Sequence, residues 1–176
     1  MRLRDPNPVI RHASAGDAAL LAELGKRTFV ETFAEINTPE DMAAYVASAF
    51  TREQLEIELC DPAATFLIAE AEGLPAGYAK LHTGTPEDCI TGPRPIELVR
   101  LYVLRDFLGR AVGAALMAAC LDEARRAGHA TIWLGVWEHN ERAKAFYRKW
   151  GFREVGSHVF QLGSDAQTDL LMERAI

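Results

Sequence analysis

Cysteines and long apolar runs are both scarce in this sequence, and each scarcity excludes a class of protein. The three cysteines, Cys60, Cys89 and Cys120, stand far apart and outside any Cys-x-x-Cys or Cys/His cluster, so neither a disulfide framework nor a zinc site is indicated. No apolar run approaches the roughly 20 residues that cross a bilayer, and the sequence starts without the apolar segment of a secretory signal. We therefore expect a cytoplasmic protein with no metal ion and no membrane contact.

Positive charge is scarce as well. The chain carries 19 lysines and arginines against 25 aspartates and glutamates, a net charge of −6, which argues against nucleic acid as a partner. Between residues 31 and 61 there are eight acids and one base, Arg52. An acidic lobe of this kind would attract cationic small molecules, although the solvated faces of two helices are the commoner explanation for such a run.

What is present indicates one globular α/β domain over residues 1–176. Hydrophobic residues make up 49% of the chain and charged residues 25%, as in ordinary globular domains. Residue patterns predict a strand, two or three short helices, three strands, a helix, a strand, a helix and two strands. The predicted strands cover residues 9–13, 65–71, 76–82, 96–104, 130–137, 152–162 and 169–174. This order indicates a mixed sheet with helices on both faces.

Residues 95–128 have the pattern of a strand, a glycine-bearing turn and a long helix that Gly128 caps. Simple alternation places Glu97, Leu101 and Val103 on one face of the strand. The turn, LGRAVGA at residues 108–114, is rich in small residues, and the first N–H groups of the helix would make it an anion site. An ordinary strand-to-helix connection explains its glycines equally well.

A second pattern lies at residues 140–152. Asn140 is a helix N-cap in type, and Gly151 ends the helix. Between them Ala143, Phe146, Tyr147 and Trp150 follow the i, i+3, i+4, i+7 spacing of a buried stripe. From spacing alone, Tyr147 is therefore a core aromatic residue.

The two patterns together resemble the acetyl-CoA-binding core of the GNAT superfamily of N-acetyltransferases. That family has a phosphate-binding turn and a helix of the form Asn-x-x-Ala-x-x-x-Tyr-x-x-x-Gly-Phe, which this chain matches at Asn140, Ala143, Tyr147, Gly151 and Phe152. Nearly the full chain is also similar to bacterial spermine/spermidine N-acetyltransferases of the PaiA type. The resemblance implies a GNAT-like mixed, largely antiparallel twisted sheet of about seven strands with helices on both faces.

The turn departs from the family at two positions. The family usually has Gln/Arg-x-x-Gly-x-Gly/Ala, whereas this chain has Leu108 in the first position and Ala111 in place of the first glycine. Because backbone N–H groups hold the pyrophosphate, alanine is tolerated if its backbone angles are helical. Weaker coenzyme binding is the alternative that these two departures leave open.

The resemblance also implies which residues bind acetyl-CoA, the expected cosubstrate: Leu101, Tyr102, Val103, Gly109, Arg110, Ala111, Val112, Gly113, Ala114, Asn140, Tyr147 and Lys149. Leu101 and Val103 would bind the pantetheine arm through their backbone groups, as an added strand binds a sheet edge. Residues 109–114 would hold the pyrophosphate. Plain strand packing also explains Leu101 and Val103, and solvated surface charge also explains Lys149.

Three residues form the catalytic set that the resemblance implies. Tyr147 would donate a proton to the coenzyme A thiolate, and Glu97 would take one from the attacking amine. The N–H group of Val103 would stabilise the oxyanion that forms on the thioester. A carboxylate exposed to solvent, or paired with Arg94 or Arg100, explains Glu97 nearly as well.

We therefore expect an N-acetyltransferase that moves acetyl from acetyl-CoA to a cationic primary amine, a polyamine such as spermidine or spermine, by direct attack in a ternary complex. A protein N-terminus or another small amine is an alternative acceptor. An acyl-CoA-binding regulatory module with little turnover is an alternative of a different class. A homodimer is one assembly that the sequence permits.

Overall fold

One sheet of seven strands runs through the computed structural model, which describes residues 7–176. The strands are β1 (Val9–His12), β2 (Ala64–Ala71), β3 (Leu74–His82), β4 (Pro95–Val103), β5 (Thr131–Trp137), β6 (Arg153–Leu162) and β7 (Asp165–Ala175). Their spatial order is β1-β2-β3-β4-β5-β7-β6, and each neighbouring pair is antiparallel except β4 with β5. The predicted mixed, largely antiparallel sheet is confirmed.

Within residues 7–176, five helices cover the two faces of this sheet. They are α1 (Ala18–Phe33), α2 (Pro39–Ala49), α3 (Arg52–Cys60), α4 (Val112–Arg126) and α5 (Glu141–Lys149). Helix α4 packs on β1 to β4 from one face, whereas α1 and α3 pack on β2 to β4 from the other. In this part of the chain no helix combines the length and the apolar character that a bilayer span requires.

Several element ends follow from contacts between residues close in sequence. Asn140 Oδ1 accepts a hydrogen bond from the Ala143 N–H at 3.1 Å and so begins α5. Gly128 follows α4 with a left-handed φ of 84°, as its predicted capping role requires. Strand β7 begins at Asp165, earlier than the predicted residue 169, because it pairs along most of β6.

Strand β4 contains a β-bulge at Val99. Lys80 of β3 lies opposite Arg100, but the next residue, Leu81, lies opposite Leu98, which leaves Val99 without a partner of its own. A bulge of this kind inserts one residue and changes the alternation of side chains along the strand. Leu98 and Arg100 consequently point to opposite faces, although they are two residues apart.

Because of the bulge, Glu97 lies on one face of the sheet, whereas Leu101 and Val103 lie on the other. Glu97 is paired with His82 on β3, and Leu101 is paired with Ala79. Directly opposed residues share a face, and His82 and Ala79 are an odd number of positions apart. The prediction that Glu97 shares a face with Leu101 and Val103 is therefore wrong, because one extra residue reverses the facing of all that follow.

Strands β4 and β5 separate part-way along their length. Their parallel pairing ends at Glu97 and Trp133, although β4 continues to Val103 and β5 to Trp137. The diverging halves leave an opening through the middle of the sheet. Buried side chains such as Leu81, Leu116 and Met117 fill the space between sheet and helices, so the opening lies within a well-packed frame.

Candidate active site

A cleft of about 740 Å³ occupies the opening between β4 and β5. The beginnings of α4 and α5 line it on one face of the sheet. Helices α1 and α2 and parts of β6 and β7 line it on the other. Because the cleft passes through the sheet, a group bound on one face lies next to a group bound on the other.

The turn before α4 presents unpaired backbone N–H groups to this cleft. Among residues 7–176, no acceptor binds the N–H groups of residue 109 or of residues 111–114. Gly109 and Ala111 have left-handed φ angles of 81° and 61°. A turn that contains left-handed residues directs successive N–H groups to one side, and together with the helix N-terminus it forms an anion site.

Ala111 does not have the helical angles that would make alanine harmless there. Its φ and ψ are 61° and 3°, a conformation that costs a residue with a Cβ atom roughly 1–2 kcal/mol. Glycine adopts this conformation without that cost. The turn therefore keeps the shape of the anion site while carrying backbone strain at Ala111.

Strand β4 directs further backbone groups into the cleft. The Leu104 N–H donates to the Ala76 carbonyl, and the Tyr102 carbonyl also lies against β3, beside Gly77. Backbone groups alternate sides along a strand. The N–H groups of Leu101 and Val103 therefore point away from β3, toward the opening. Tyr102 reaches the cleft only with its side chain.

Tyr147 lies on α5, beside the anion-binding turn. Its ring packs edge-on against Phe146 and Phe152, with centroid distances of 5.5 and 5.7 Å. The side chain is 9% exposed and lines the cleft. Burial, with a smaller contribution from Cys120, raises the pKa of Tyr147. The phenol therefore keeps its proton at neutral pH and is available as a donor.

Glu97 lines the cleft from the opposite face of the sheet. Burial raises the pKa of this carboxyl, and the charges of His82 and His158, when these are protonated, and of Lys80 oppose that rise. A carboxylate with a raised pKa is a better proton acceptor than one in open solvent. Its environment therefore matches that of a base.

The alternative ion pairs of Glu97 do not form. Arg94 Nε donates to the Gly128 carbonyl at 2.8 Å, and Arg100 pairs with Glu58 at 2.8 Å. The carboxyl of Glu97 is thus left facing the cleft instead of an arginine.

Comparison with known proteins accounts for this arrangement. Residues 28–152 match the Acetyltransferase (GNAT) family. The chain belongs to the GNAT acetyltransferase family. It is 34% identical over 167 residues to the uncharacterized N-acetyltransferase of the pepI 3′ region of Lactobacillus delbrueckii subsp. lactis, covering 95% of this chain and 96% of the relative. It is also 34% identical over 160 residues to an uncharacterized N-acetyltransferase of Mycobacterium tuberculosis, covering 91% and 98%.

Solved structures share the fold of this GNAT acetyltransferase. The PaiA N-acetyltransferase of Thermoplasma acidophilum in complex with coenzyme A has a TM-score of 0.78 at 22% identity, covering 97% of this chain and 99% of that one. The putative acetyltransferase yncA of Salmonella typhimurium with its cofactor acetyl-CoA has a TM-score of 0.66 at 22% identity, covering 96% and 94%. At these identities the likeness establishes the fold.

The GNAT chain is an acetyl-CoA-dependent N-acetyltransferase, and its residues fit that cosubstrate. The unpaired N–H groups of residues 109 and 111–114 suit a diphosphate. Nothing lies within 4 Å of where a Cβ atom on Gly109 would stand, so a ligand can approach the backbone there. Among residues 7–176, no group of three His, Cys, Asp or Glu side chains is placed to hold a metal ion.

Most of the predicted coenzyme residues of the acetyltransferase line the cleft, namely Leu101, Tyr102, Val103, Gly109, Ala111, Val112, Gly113, Ala114, Asn140 and Tyr147. Arg110 and Lys149 do not. The Arg110 guanidinium pairs with Glu72 at 3.1 Å outside the cleft, and Lys149 is exposed at the end of α5. Only the backbone of Arg110 therefore belongs to the turn.

The acidic lobe of the acetyltransferase contributes little to the cleft. Of its eight acids, only Glu31 lines the cleft, and it pairs with Arg27 at 2.9 Å. Glu56 pairs with Arg52 on the exposed surface of α3. The commoner explanation of the charge run, a set of solvated helix faces, therefore describes most of it.

The sequence patterns do not identify two polar residues that line the cleft. They are Asp169 on β7 and His158 on β6. They lie opposite each other in the β6–β7 ladder, with His158 Nε2 3.7 Å from Asp169 Oδ2. No local motif marks either residue. Only the pairing of the two strands brings them together, so the register of β6 on β7 was the missing information.

Proposed function

We propose that this acetyltransferase moves acetyl from acetyl-CoA to a cationic primary amine by direct attack in a ternary complex, and that a polyamine such as spermidine or spermine is the acceptor. The observation that carries the proposal is the cleft through the sheet. It places Tyr147 on one face and Glu97 on the other, with the backbone of β4 between them.

Residues on the α4 and α5 side would hold the donor. The N–H groups of the turn bind the pyrophosphate, and the backbone of Leu101 and Val103 binds the pantetheine arm. Acetyl-CoA supplies the activated acetyl group. The Val103 N–H stabilises charge on the thioester oxygen, a contribution that is typically worth about 3–4 kcal/mol of barrier. The Tyr147 phenol gives its proton to the departing sulfur.

Residues on the other face would prepare the acceptor. With a pKa near 10.4, only about one alkylamine in a few thousand is neutral at pH 7. Glu97 removes the proton that blocks attack, and its raised pKa suits this task. Asp169, with its own pKa raised by burial, adds a second carboxylate to the end of the cleft. Two carboxylates favour a cation at this end.

A protein N-terminus is the second candidate acceptor. The ribosomal-protein-alanine N-acetyltransferase of Brucella melitensis has a TM-score of 0.70 at 26% identity, covering 96% of this chain and 99% of that one. A peptide acceptor would also bring a neutral or cationic amine to Glu97. It would differ from a polyamine in needing room for the peptide backbone that follows the first residue.

Release of free thiol from acetyl-CoA tests the proposal. Purified protein is assayed with spermidine, spermine, an alanine-initiated peptide, a lysine peptide and an aminoglycoside. Turnover of the polyamines above the other amines supports the proposal, whereas preference for the peptide selects the second candidate. Tight coenzyme binding with no turnover of any amine would point instead to a regulatory acyl-CoA-binding module.

Assembly and location belong to the same proposal. We expect the enzyme to act in the cytoplasm, as the sequence predicts, and we propose a homodimer as its assembly. Light scattering at several protein concentrations measures the mass directly. A particle of one chain mass at all concentrations would exclude the dimer.

A further inference from the structure

A histidine lies among three carboxylates at the acceptor end of the cleft. His158 Nδ1 is 3.0 Å from Glu87 Oε1, and His158 Nε2 is 3.7 Å from Asp169 Oδ2. The third carboxylate, that of Glu97, lies on the same face of the sheet, because Glu97 is paired with Trp133, two residues before Gly135, and it lines the same cleft. Each ring nitrogen of His158 therefore has an acidic neighbour.

Exposure increases outward along this group. The side chain of Asp169 is 16% exposed, that of His158 is 30% exposed, and that of Glu87 is 45% exposed. His158 and Asp169 line the cleft, whereas Glu87 lies outside it. The three side chains therefore lead from the acceptor end of the cleft to bulk water.

The facing atoms of His158 and Asp169 lie over Gly135 of β5. A Cβ atom at Gly135 would lie 3.4 Å from both Asp169 Oδ2 and His158 Nε2, which is the limit of ordinary contact. Both atoms therefore sit directly above the backbone of β5, at the wall of the cleft. The position places His158 Nε2 toward the cleft and Nδ1 toward Glu87.

The proposed reaction requires a path for one proton per turnover. An alkylammonium ion and a thioester give an amide, a thiol and one free proton. The nitrogen loses two protons, of which the sulfur keeps one. The other is the proton that Glu97 takes under the proposed function, and it must reach solvent before the next amine is deprotonated.

We propose that His158 carries this proton from Glu97 to Glu87 at the surface, with the carboxylate of Asp169 beside the imidazole ring. His158 Nε2 takes up the proton on the cleft side, and Nδ1 gives its own proton to Glu87, which passes it to water. The ring is then neutral with its proton on Nε2, and exchange of ring protons with solvent at this partly exposed side chain returns the proton to Nδ1 before the next turnover. The carboxylates of Glu87 and Asp169 stabilise the transient imidazolium. This proton-exit route, Glu97 to His158 to Glu87, rests on the proposed function.

Other charged groups face Glu97 and enter its pH dependence. His82 and Lys80 project from β3 on the same face of the sheet. His82 hydrogen-bonds to Asp61 at 3.1 Å, and Lys80 pairs with Glu58 at 2.8 Å. Their partners are thus carboxylates of α3 and of its C-terminal cap, and neither His82 nor Lys80 pairs with Glu87.

The test measures acetylation of spermidine by wild-type protein, His158→Asn and Glu87→Gln from about pH 6.5 to about pH 9.5, where the neutral fraction of the amine rises steeply. His12→Asn is the matched control, because His12 forms a histidine–carboxylate pair with Glu123 at 3.1 Å outside the cleft. Thermal melting confirms that each variant is folded. Because Glu87 is largely exposed, its substitution leaves the fold intact.

We expect His158→Asn to lower kcat about 10–100-fold at the acid end of this range, with KM nearly unchanged. The loss should shrink at high pH and in imidazole buffer, which can carry the proton instead. Glu87→Gln should show a smaller loss with the same pH trend, and His12→Asn none. An unchanged kcat, or an equal loss at every pH with no response to imidazole, would overturn the route. Failure of wild-type protein to acetylate any amine would instead overturn the proposed function.

Discussion

Glu58 and Arg100 join helix α3 to strand β4 beside the bulge, with Glu58 Oε2 2.8 Å from Arg100 Nη1. Lys80 Nζ donates to the same oxygen at 2.8 Å. All three side chains are nearly buried, with exposed fractions of 11–13%. One carboxylate thus neutralises part of the charge of two cations, and the ion cluster fixes the strand that supplies the backbone of the cleft.

Removing the charge of Glu58 should destabilise the fold strongly. Glu58→Gln leaves two buried cations without a counter-charge, which typically costs about 3–5 kcal/mol of unfolding free energy. Urea unfolding at pH 7 measures the loss. The control is Glu56→Gln, which breaks an exposed pair with Arg52 and should cost less than about 0.5 kcal/mol. Equal losses for the two variants would contradict a special role for the buried cluster.

The same cluster predicts an acid sensitivity. Burial alone would raise the pKa of Glu58, but the hydrogen bonds and charges of Arg100 and Lys80 outweigh it and lower the pKa to about 2. A carboxyl with a lowered pKa stabilises the fold above its unfolded value, and this stability is lost as pH falls from about 4.5 toward 2. Unfolding free energies measured across this window should fall more steeply for wild-type protein than for Glu58→Gln.

The left-handed backbone at Ala111 predicts a stabilising substitution. Ala111→Gly removes a strain of roughly 1–2 kcal/mol, against a cost of about 0.4–1 kcal/mol from the freer unfolded chain. We expect a net gain of about 0.5–1 kcal/mol in urea unfolding, with coenzyme A affinity equal to or tighter than that of the wild type in calorimetry.

Gly109→Ala provides the opposite test in the same turn. Gly109 has a φ of 81° with open space where the Cβ atom would go, so its substitution should destabilise by about 1 kcal/mol through the backbone alone. Gly128→Ala has the same backbone cost beyond the far end of α4, at φ 84° with open space, and should leave coenzyme A affinity unchanged. A destabilised Ala111→Gly variant would show that the alanine is not strained.

Tyr147→Phe tests the proton donor. The substitution keeps the ring packed against Phe146 and Phe152 and removes only the hydroxyl. We expect kcat to fall about 10²-fold, with little change in the affinity for coenzyme A or in the melting temperature. The matched control is Tyr78→Phe, which removes a buried hydroxyl outside the cleft and should leave kcat unchanged. Full turnover by the Tyr147→Phe variant would show that Tyr147 is not the acid.

Glu97→Gln should lower the activity and raise the stability of the protein. Burial raises the pKa of Glu97, so proton binding favours the folded state, and stability declines as pH rises through the folded pKa. The glutamine variant should therefore be more stable than wild type at neutral pH and should lack the decline in stability that begins above about pH 4.5, while its kcat falls at least 10²-fold. Glu53→Gln, on an exposed position of α3, should change neither quantity. A Glu97→Gln variant no more stable than wild type would mean that burial of this charge is not costly.

Much of the fold could be predicted from the sequence because its signals are local. The capping of α5 by Asn140 and the left-handed glycine after α4 join residues a few positions apart. Strand and helix periodicities gave the order of the elements for the same reason. The coenzyme turn and Tyr147 were also within reach, since each lies in a short continuous motif.

The sequence could not predict which face of the sheet Glu97 occupies, or that Asp169 lies beside His158, because both depend on strand register. The bulge at Val99 exists only in the pairing of β4 with β3, and His158 meets Asp169 only in the pairing of β6 with β7. Side chains alternate with a period of two, so one inserted residue changes which face a carboxylate occupies. The sequence by itself determined the elements of this acetyltransferase and the two motifs in which we propose donor binding. Tertiary structure decided which acidic groups meet across the split sheet, because hydrogen bonds between distant strands, not local preference, set that register.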